Sequence, residues 1–125
     1  MQINLNLIGK EKAEAVCRAI LGRPTENRIV LAAYKGAKTT DSGLYIPDTA
    51  KEGVPRKGVV VALGEITEGY QTYSNIQVGD VVTYGLYAGK ELEPIMRKGE
   101  LNYNETLLFT VLSLNEVIFV EPNLE

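Results

Sequence analysis

The spacing of apolar positions changes twice before residue 30. From Gln2 to Ile8 polar and apolar residues alternate and place Ile3, Leu5 and Leu7 on one face, the period-2 pattern of a half-buried strand. From Glu11 to Leu21 the repeat lengthens: Ala13, Val16, Cys17, Ile20 and Leu21 share one helical face, while Lys12, Glu14, Arg18 and Arg23 lie elsewhere. Gly22 supplies a stop and Pro24 follows within two residues. A helix of roughly three turns is marginal by itself, so its apolar face needs a cover. Packing on its own domain is the expected arrangement, and contact with a neighbouring subunit or a partner stays open.

The rest of the chain reads as short apolar runs divided by glycine and proline. Arg28 to Ala33, Gly58 to Leu63, Asp80 to Tyr84, Leu107 to Leu112 and Val117 to Val120 are rich in Val, Ile, Leu and aromatic residues. Gly58, Gly64, Gly79, Gly85 and Gly89 bracket them, and Gly79-Asp80 is predicted to make a tight turn. The pattern predicts a mainly all-β domain, a largely antiparallel and partly open barrel.

Between Ala33 and Gly58 lie more than twenty mostly small, polar or charged residues, interrupted by one apolar island, Leu44-Tyr45-Ile46, between Ser42-Gly43 and Pro47-Asp48. Structureless connections longer than about 12 to 15 residues are uncommon in compact domains, and those that occur are often binding loops. A short buried strand is the alternative, but three residues between Thr39-Thr40-Asp41 and Asp48-Thr49 make a poor one. The segment reads as a tethered binding peptide.

These features, in order, resemble the GroES-type (chaperonin-10) co-chaperonins. Pro24-Thr25-Glu26-Asn27-Arg28-Ile29-Val30-Leu31 is similar to the family's opening P-L-x-D-R-V-x-V, and Ser42-Gly43-Leu44-Tyr45-Ile46-Pro47 to its G-G-I-V-L-P. Lys57 to Gly64 is similar to R-G-x-V-x-A-V-G, Ile76 to Val82 to V-K-V-G-D-x-V, and Tyr87 to Glu91 to Y-A-G-T-E. Leu112 to Glu121 resembles the closing E-S-D-V-L-A-V-I-E. The resemblance implies a GroES-like barrel over residues 24–125, preceded by a strand and helix extension over 1–23. It also implies a mobile loop over about 34–56 that presents Gly43, Leu44, Tyr45 and Ile46 to a GroEL-type ring. A roof hairpin is implied over about 64–77, with Glu65, Glu68, Gly69 and Tyr70 near its turn. Subunits are expected to join through the opening strand (Arg28, Ile29, Val30) and a neighbour's closing strand (Val117, Ile118, Phe119, Val120), giving a heptamer. The implied function is to cap an ATP-dependent chaperonin ring and enclose substrate proteins, with no cofactor of its own. The chain departs from the family in its N-terminal extension, a shorter roof segment, and an apparent insertion within Leu92 to Thr106, expected to be a surface bulge. Together these suggest a divergent, phage-encoded member.

Composition narrows the chemistry. The chain has 125 residues, 45% of them hydrophobic, enough for one small core without disulfide or metal staples. It has no histidine and a single cysteine, Cys17, which removes the commonest general base, the commonest metal ligand and any internal disulfide. Ser42, Ser74 and Ser113 therefore lack a histidine to activate them, and no phosphate-loop or dinucleotide fingerprint is present. The zinc-dependent dehydrogenases that contain a GroES-like barrel use Cys and His ligands, of which this sequence has one and none, respectively. A formal charge of −3 without a basic cluster disfavours nucleic acid as partner. No apolar run approaches the ~20 residues of a membrane span, and Met1 to Ile8 does not resemble a signal peptide, so a cytoplasmic protein is expected. An adaptor barrel whose long loop binds a partner other than a chaperonin is the alternative function.

Tyr45 stands where the family commonly has an aliphatic residue, and its hydroxyl requires solvent or a partner. Leu44→Ala and Ile46→Ala are expected to weaken chaperonin binding more than Tyr45→Ala. Titration of each variant against a GroEL-type ring checks the order, and equal losses would contradict it.

Overall fold

The computed structural model describes residues 7–34, 56–85 and 87–123. One helix, α1 (Lys10–Ala19), precedes six strands: β1 (Arg28–Tyr34), β2 (Arg56–Leu63), β3 (Val81–Tyr84), β4 (Lys90–Leu92), β5 (Leu107–Ser113) and β6 (Val117–Glu121). They form one sheet in the order β4-β5-β1-β2-β3-β6, and every neighbouring pair is antiparallel. β4 and β6 do not pair with each other, so the sheet is open, as the strand pattern predicts. The five predicted strands are present with ends shifted by at most two residues. The short β4 was not predicted.

The central strands have no polar alternation because both faces of the sheet are buried, which makes a strand apolar along its whole length. On one face Val30, Ala32, Val59, Val61, Val81, Leu107 and Phe109 pack with Ile8, Ala13, Val16 and Ile20. On the other, Ile29, Leu31, Val60, Val82, Tyr84 and Leu112 pack with Ile76 and Leu114. Gly58 lets the second face close tightly, since a Cβ there would come within 2.9 Å of the Leu31 Cβ.

Helix α1 is the lid of the first face. Ala13, Val16 and Ala19 point into the sheet, and Glu11 in the first turn and Arg18 in the last complement the helix dipole. The helix is shorter than its apolar period: it ends at Ala19, and Leu21 turns outward. The reason lies far away in sequence. The segment after β4, expected to be a surface bulge, instead docks on the end of α1. Arg97 N donates to Ala19 O at 2.7 Å, Arg97 Nε to Arg18 O at 2.8 Å, and Leu21 N to Ile95 O at 2.8 Å. Ile20 and Met96 form an isolated antiparallel bridge. Carbonyls that the last helical turn leaves without partners are thus satisfied, and the chain is pulled out of the helix into an extended bridge.

Residues 2–6 of the predicted N-terminal strand lie outside the described residues. Leu7 and Ile8 are described and are not in a strand; Ile8 is fully buried against the first core. Among the described residues no helix is long and apolar enough to cross a membrane.

Ile8→Ala is expected to lower unfolding free energy by about 2 to 5 kcal/mol, the range for truncating a large core side chain. Leu21→Ala should stay within about 0.5 kcal/mol. Urea titration of both variants at matched concentration tests whether α1 and its leader are integral to the sheet or an appendage.

Candidate functional site

The proposed contact residues Gly43, Leu44, Tyr45 and Ile46 lie outside the described residues. The structure does describe both anchors of the connection that carries them. Tyr34 ends β1 opposite Leu107, and Arg56 begins β2 opposite Tyr84, so each anchor is held by a sheet partner. Lys12 of α1 adds a third restraint: its Nζ donates to Tyr34 Oη at 3.1 Å and lies 4.6 Å from the ring centroid. The long connection leaves and re-enters a rigid frame.

The second predicted excursion takes a different form from the expected roof hairpin. No strand occurs between β2 and β3; a turn at Glu68-Gly69 is followed by a 3-10 turn over Gln71–Tyr73. The sequence accounts for this. Ile66, Tyr70, Tyr73 and Ile76 are not spaced by two, and their three- to four-residue spacing directs all of them onto the second core. Tyr70 and Tyr73 stack at a tilt, with ring centroids 6.1 Å apart. Of the roof candidates, Glu65 and Glu68 are exposed, Gly69 takes φ +96° at the turn, and Tyr70 is half-buried.

Asn27 fixes this segment. It adopts φ +60°, a left-handed conformation that asparagine tolerates better than most residues. Its Oδ1 accepts from Thr67 N at 2.9 Å, its Nδ2 donates to Thr67 Oγ1 at 2.8 Å, and its backbone N donates to Glu65 O at 2.8 Å. Its carbonyl accepts from Leu114 N at 2.9 Å, which ties the turn between β5 and β6 to the same point. Beside it, a Cβ on Gly64 would lie 2.0 Å from Thr25 O, so only glycine fits. Sequence reasoning did not single out Asn27; the signal was a turn-forming residue immediately before a strand.

The expected subunit contacts divide into two groups. β1 already pairs with β2 on one side and β5 on the other, and Ile29 and Val30 are buried in this chain's own cores. Arg28 is the exposed member of that group. A neighbour's strand could reach the β1 backbone only by displacing an internal pair. β6 is different: among the described residues it pairs with β3 alone, and Ile118, Phe119 and Val120 are 61%, 57% and 39% exposed. Toward the other end of the sheet, a groove of about 310 Å³ runs between the end of α1 and the β4 side, lined by Pro24, Leu92, Pro94 and Val111 among others. Leu21 and Ile95 stand at this groove and are 55% and 71% exposed. The groove was not anticipated, because it exists only once the 93–97 segment docks on α1. Among the described residues no group of three or more His, Cys, Asp or Glu side chains is placed to hold a metal ion.

Comparison with known proteins supplies the remaining information. Residues 22–111 match the family described as Chaperonin 10 Kd subunit. The chain is 39% identical over 82 residues to Co-chaperonin GroES 1 of Rhodopirellula baltica, covering 63% of this chain and 80% of that protein. It is 45% identical over 73 residues to the Co-chaperonin GroES of Streptomyces coelicolor, covering 57% of this chain and 71% of the relative. Over 72 residues it is 42% identical to the Co-chaperonin GroES of Rhodothermus marinus, covering 56% and 71%. The family match begins after α1 and ends within β5, so α1 and β6 lie outside it.

Asn27→Ala removes both side-chain bonds to Thr67 and leaves a less tolerant residue at positive φ, and is expected to lower stability by about 1 to 3 kcal/mol. Asn27→Gly should recover only the backbone part. Denaturant titration ranks the variants, and faster amide exchange over residues 65–70 should accompany both.

Proposed function

The chain belongs to the Chaperonin 10 Kd subunit family, and from that premise we infer that it is a co-chaperonin which caps a GroEL-type ring through Leu44, Tyr45 and Ile46. The observation that carries this reading is the family match across β1 to β5, which includes a twenty-one-residue connection, 35–55, anchored in the sheet at both ends and bearing an apolar tripeptide. The adaptor alternative has no support from the relatives, which are named co-chaperonins.

The mechanism follows from the energetics of such a connection. Burying the tripeptide in an apolar groove is favourable, but fixing the flanking residues costs backbone entropy, so one copy binds weakly. Several copies joined in one assembly convert later contacts into intramolecular ones and gain avidity by ~100 to 10,000-fold. Weak individual contacts then let a nucleotide-driven movement of the partner release the whole cap. The role is binding and enclosure of substrate proteins; ATP is the partner's, and no reaction is assigned to this chain.

Self-assembly has a physical basis in the sheet. The apolar side chains of β6 lie at one edge and the Leu21/Ile95 groove lies toward the opposite one. Two unlike surfaces at opposite ends favour head-to-tail contact, which generates a closed ring when the rotation closes. We assign seven subunits to that ring, matching a seven-membered chaperonin ring, with Ile118 and Val120 of one copy facing the groove of the next.

Native mass spectrometry, alone and with a GroEL-type ring plus ATP or ADP, tests the reading. A seven-subunit species that joins the ring only with nucleotide is expected; a monomer or dimer indifferent to the ring would overturn it. Ile118→Asp should shift the free protein toward monomer and reduce ring binding more than Leu44→Ala reduces assembly.

A further inference from the structure

We propose that Lys12 is a positioning residue for ring binding: by holding Tyr34 from α1 it fixes the end of β1, and so the point from which the 35–55 connection starts. The functional half of this inference rests on the co-chaperonin reading above; the contact itself does not.

The two strands that carry the connection part before they end. β1 and β2 pair from Ile29 opposite Leu63 to Ala32 opposite Val59. Beyond that point Ala33 and Tyr34 face Leu108 and Leu107 of β5, while Arg56, Lys57 and Gly58 face Tyr84, Thr83 and Val82 of β3. Among the described residues, the last two positions of β1 therefore have a strand partner on one side alone. Burial follows the pairing: Ile29 to Ala32 are buried, and Ala33 and Tyr34 are half-buried. A strand end held on one side is where local opening begins.

Lys12 supplies the support that β2 does not. Its Nζ donates to Tyr34 Oη at 3.1 Å and lies 4.6 Å from the ring centroid, and the ring packs against the core that α1 covers. Lys12 is half-buried, so the cation and the ring meet partly out of water, which strengthens their attraction. The contact joins a helix that lies outside the family match to the residue that borders the connection on its N-terminal side.

A cost to binding follows if the ammonium is removed. Once Ala33 and Tyr34 can leave β5, they lengthen the connection, and both must be ordered again when the apolar tripeptide docks. A contact of this kind is worth about two- to fivefold in an equilibrium, and the factor recurs at every copy that engages the partner. The rest of the sheet does not depend on it, so global stability should hardly change.

The test compares the full chain with Lys12→Met, Lys12→Arg and Lys10→Met. Methionine keeps an apolar stem without the ammonium, and arginine keeps a cation and its donors. Lys10→Met makes the same change of charge at the exposed first residue of α1. Amide exchange over residues 33–34 and 107–108, affinity for a GroEL-type ring with ADP, and the urea midpoint are measured for each. Lys12→Met is expected to speed that exchange about two- to fivefold while residues 29–31 stay protected, to weaken ring binding by at least twofold, and to leave the midpoint in place. Lys12→Arg and Lys10→Met should behave like the unchanged chain. Unaltered exchange at Tyr34 in Lys12→Met would overturn the proposal, as would faster exchange with full ring affinity. A loss of affinity that Lys10→Met shares would assign the effect to net charge, and a fall in midpoint that arginine fails to restore would make Lys12 merely structural; either result sinks the positioning role. If the unchanged chain ignores the ring, the co-chaperonin reading fails separately and exchange decides the contact: acceleration confined to Lys12→Met supports it, and none refutes it.

Discussion

A sheet whose central strands are apolar on both faces requires two covers, and the rest of this structure follows from that requirement. β1 and β2 direct Val30, Ala32, Val59 and Val61 one way and Ile29, Leu31 and Val60 the other. An isolated sheet of this composition would expose both sets to water. The chain solves this with two unrelated devices. The segment between β2 and β3 lays Ile66, Tyr70, Tyr73 and Ile76 over one face, while α1 and Ile8 lie over the other. The second device lies outside the family match, and it depends on a third element, the 93–97 segment that holds the end of α1. The N-terminal extension and the apparent insertion are therefore one structural unit, separated by some seventy residues of sequence and joined by backbone hydrogen bonds.

That dependence explains what was legible in the sequence. The strands were legible because burial on both faces writes itself as continuous Val, Ile and Leu, and glycine marks their ends. The helix was legible from the spacing of Ala13, Val16 and Ile20. Its end was not, since Ala19 and Arg18 are capped by Arg97, and a backbone partner nearly eighty residues away leaves no local mark. The roof was misread for a related reason: analogy supplied a hairpin, whereas Ile66, Tyr70, Tyr73 and Ile76 have a spacing that only a turn and a 3-10 segment can bring onto one core. The anchors of the 35–55 connection were legible as strand ends. Asn27 stood within the opening motif, but nothing local marked it as the junction of three segments.

The same rigidity shapes the function. A tethered peptide is useful in proportion to how well its anchors are placed, because the frame sets which surface the peptide can reach. Here the anchors are strands in the middle of the sheet, β1 and β2, and not its edges. The Lys12 contact to Tyr34 ties one anchor to α1 as well. The connection thus springs from the best-supported strands, so a load on it falls on the most stable part of the sheet.

The edges carry the opposite property. Natural sheets protect a free edge with charge, proline or a short strand. β4 follows that rule, being three residues long and beginning with Lys90 and Glu91. β6 does not: Ile118, Phe119 and Val120 stand together at its exposed edge, and the ion pair from Lys57 to Glu121, 3.2 Å long, lies at its far end. An edge left so apolar is stable in water only if something covers it. The head-to-tail contact proposed above would cover Ile118 and Val120, so assembly would use side chains that the subunit's own fold leaves in water.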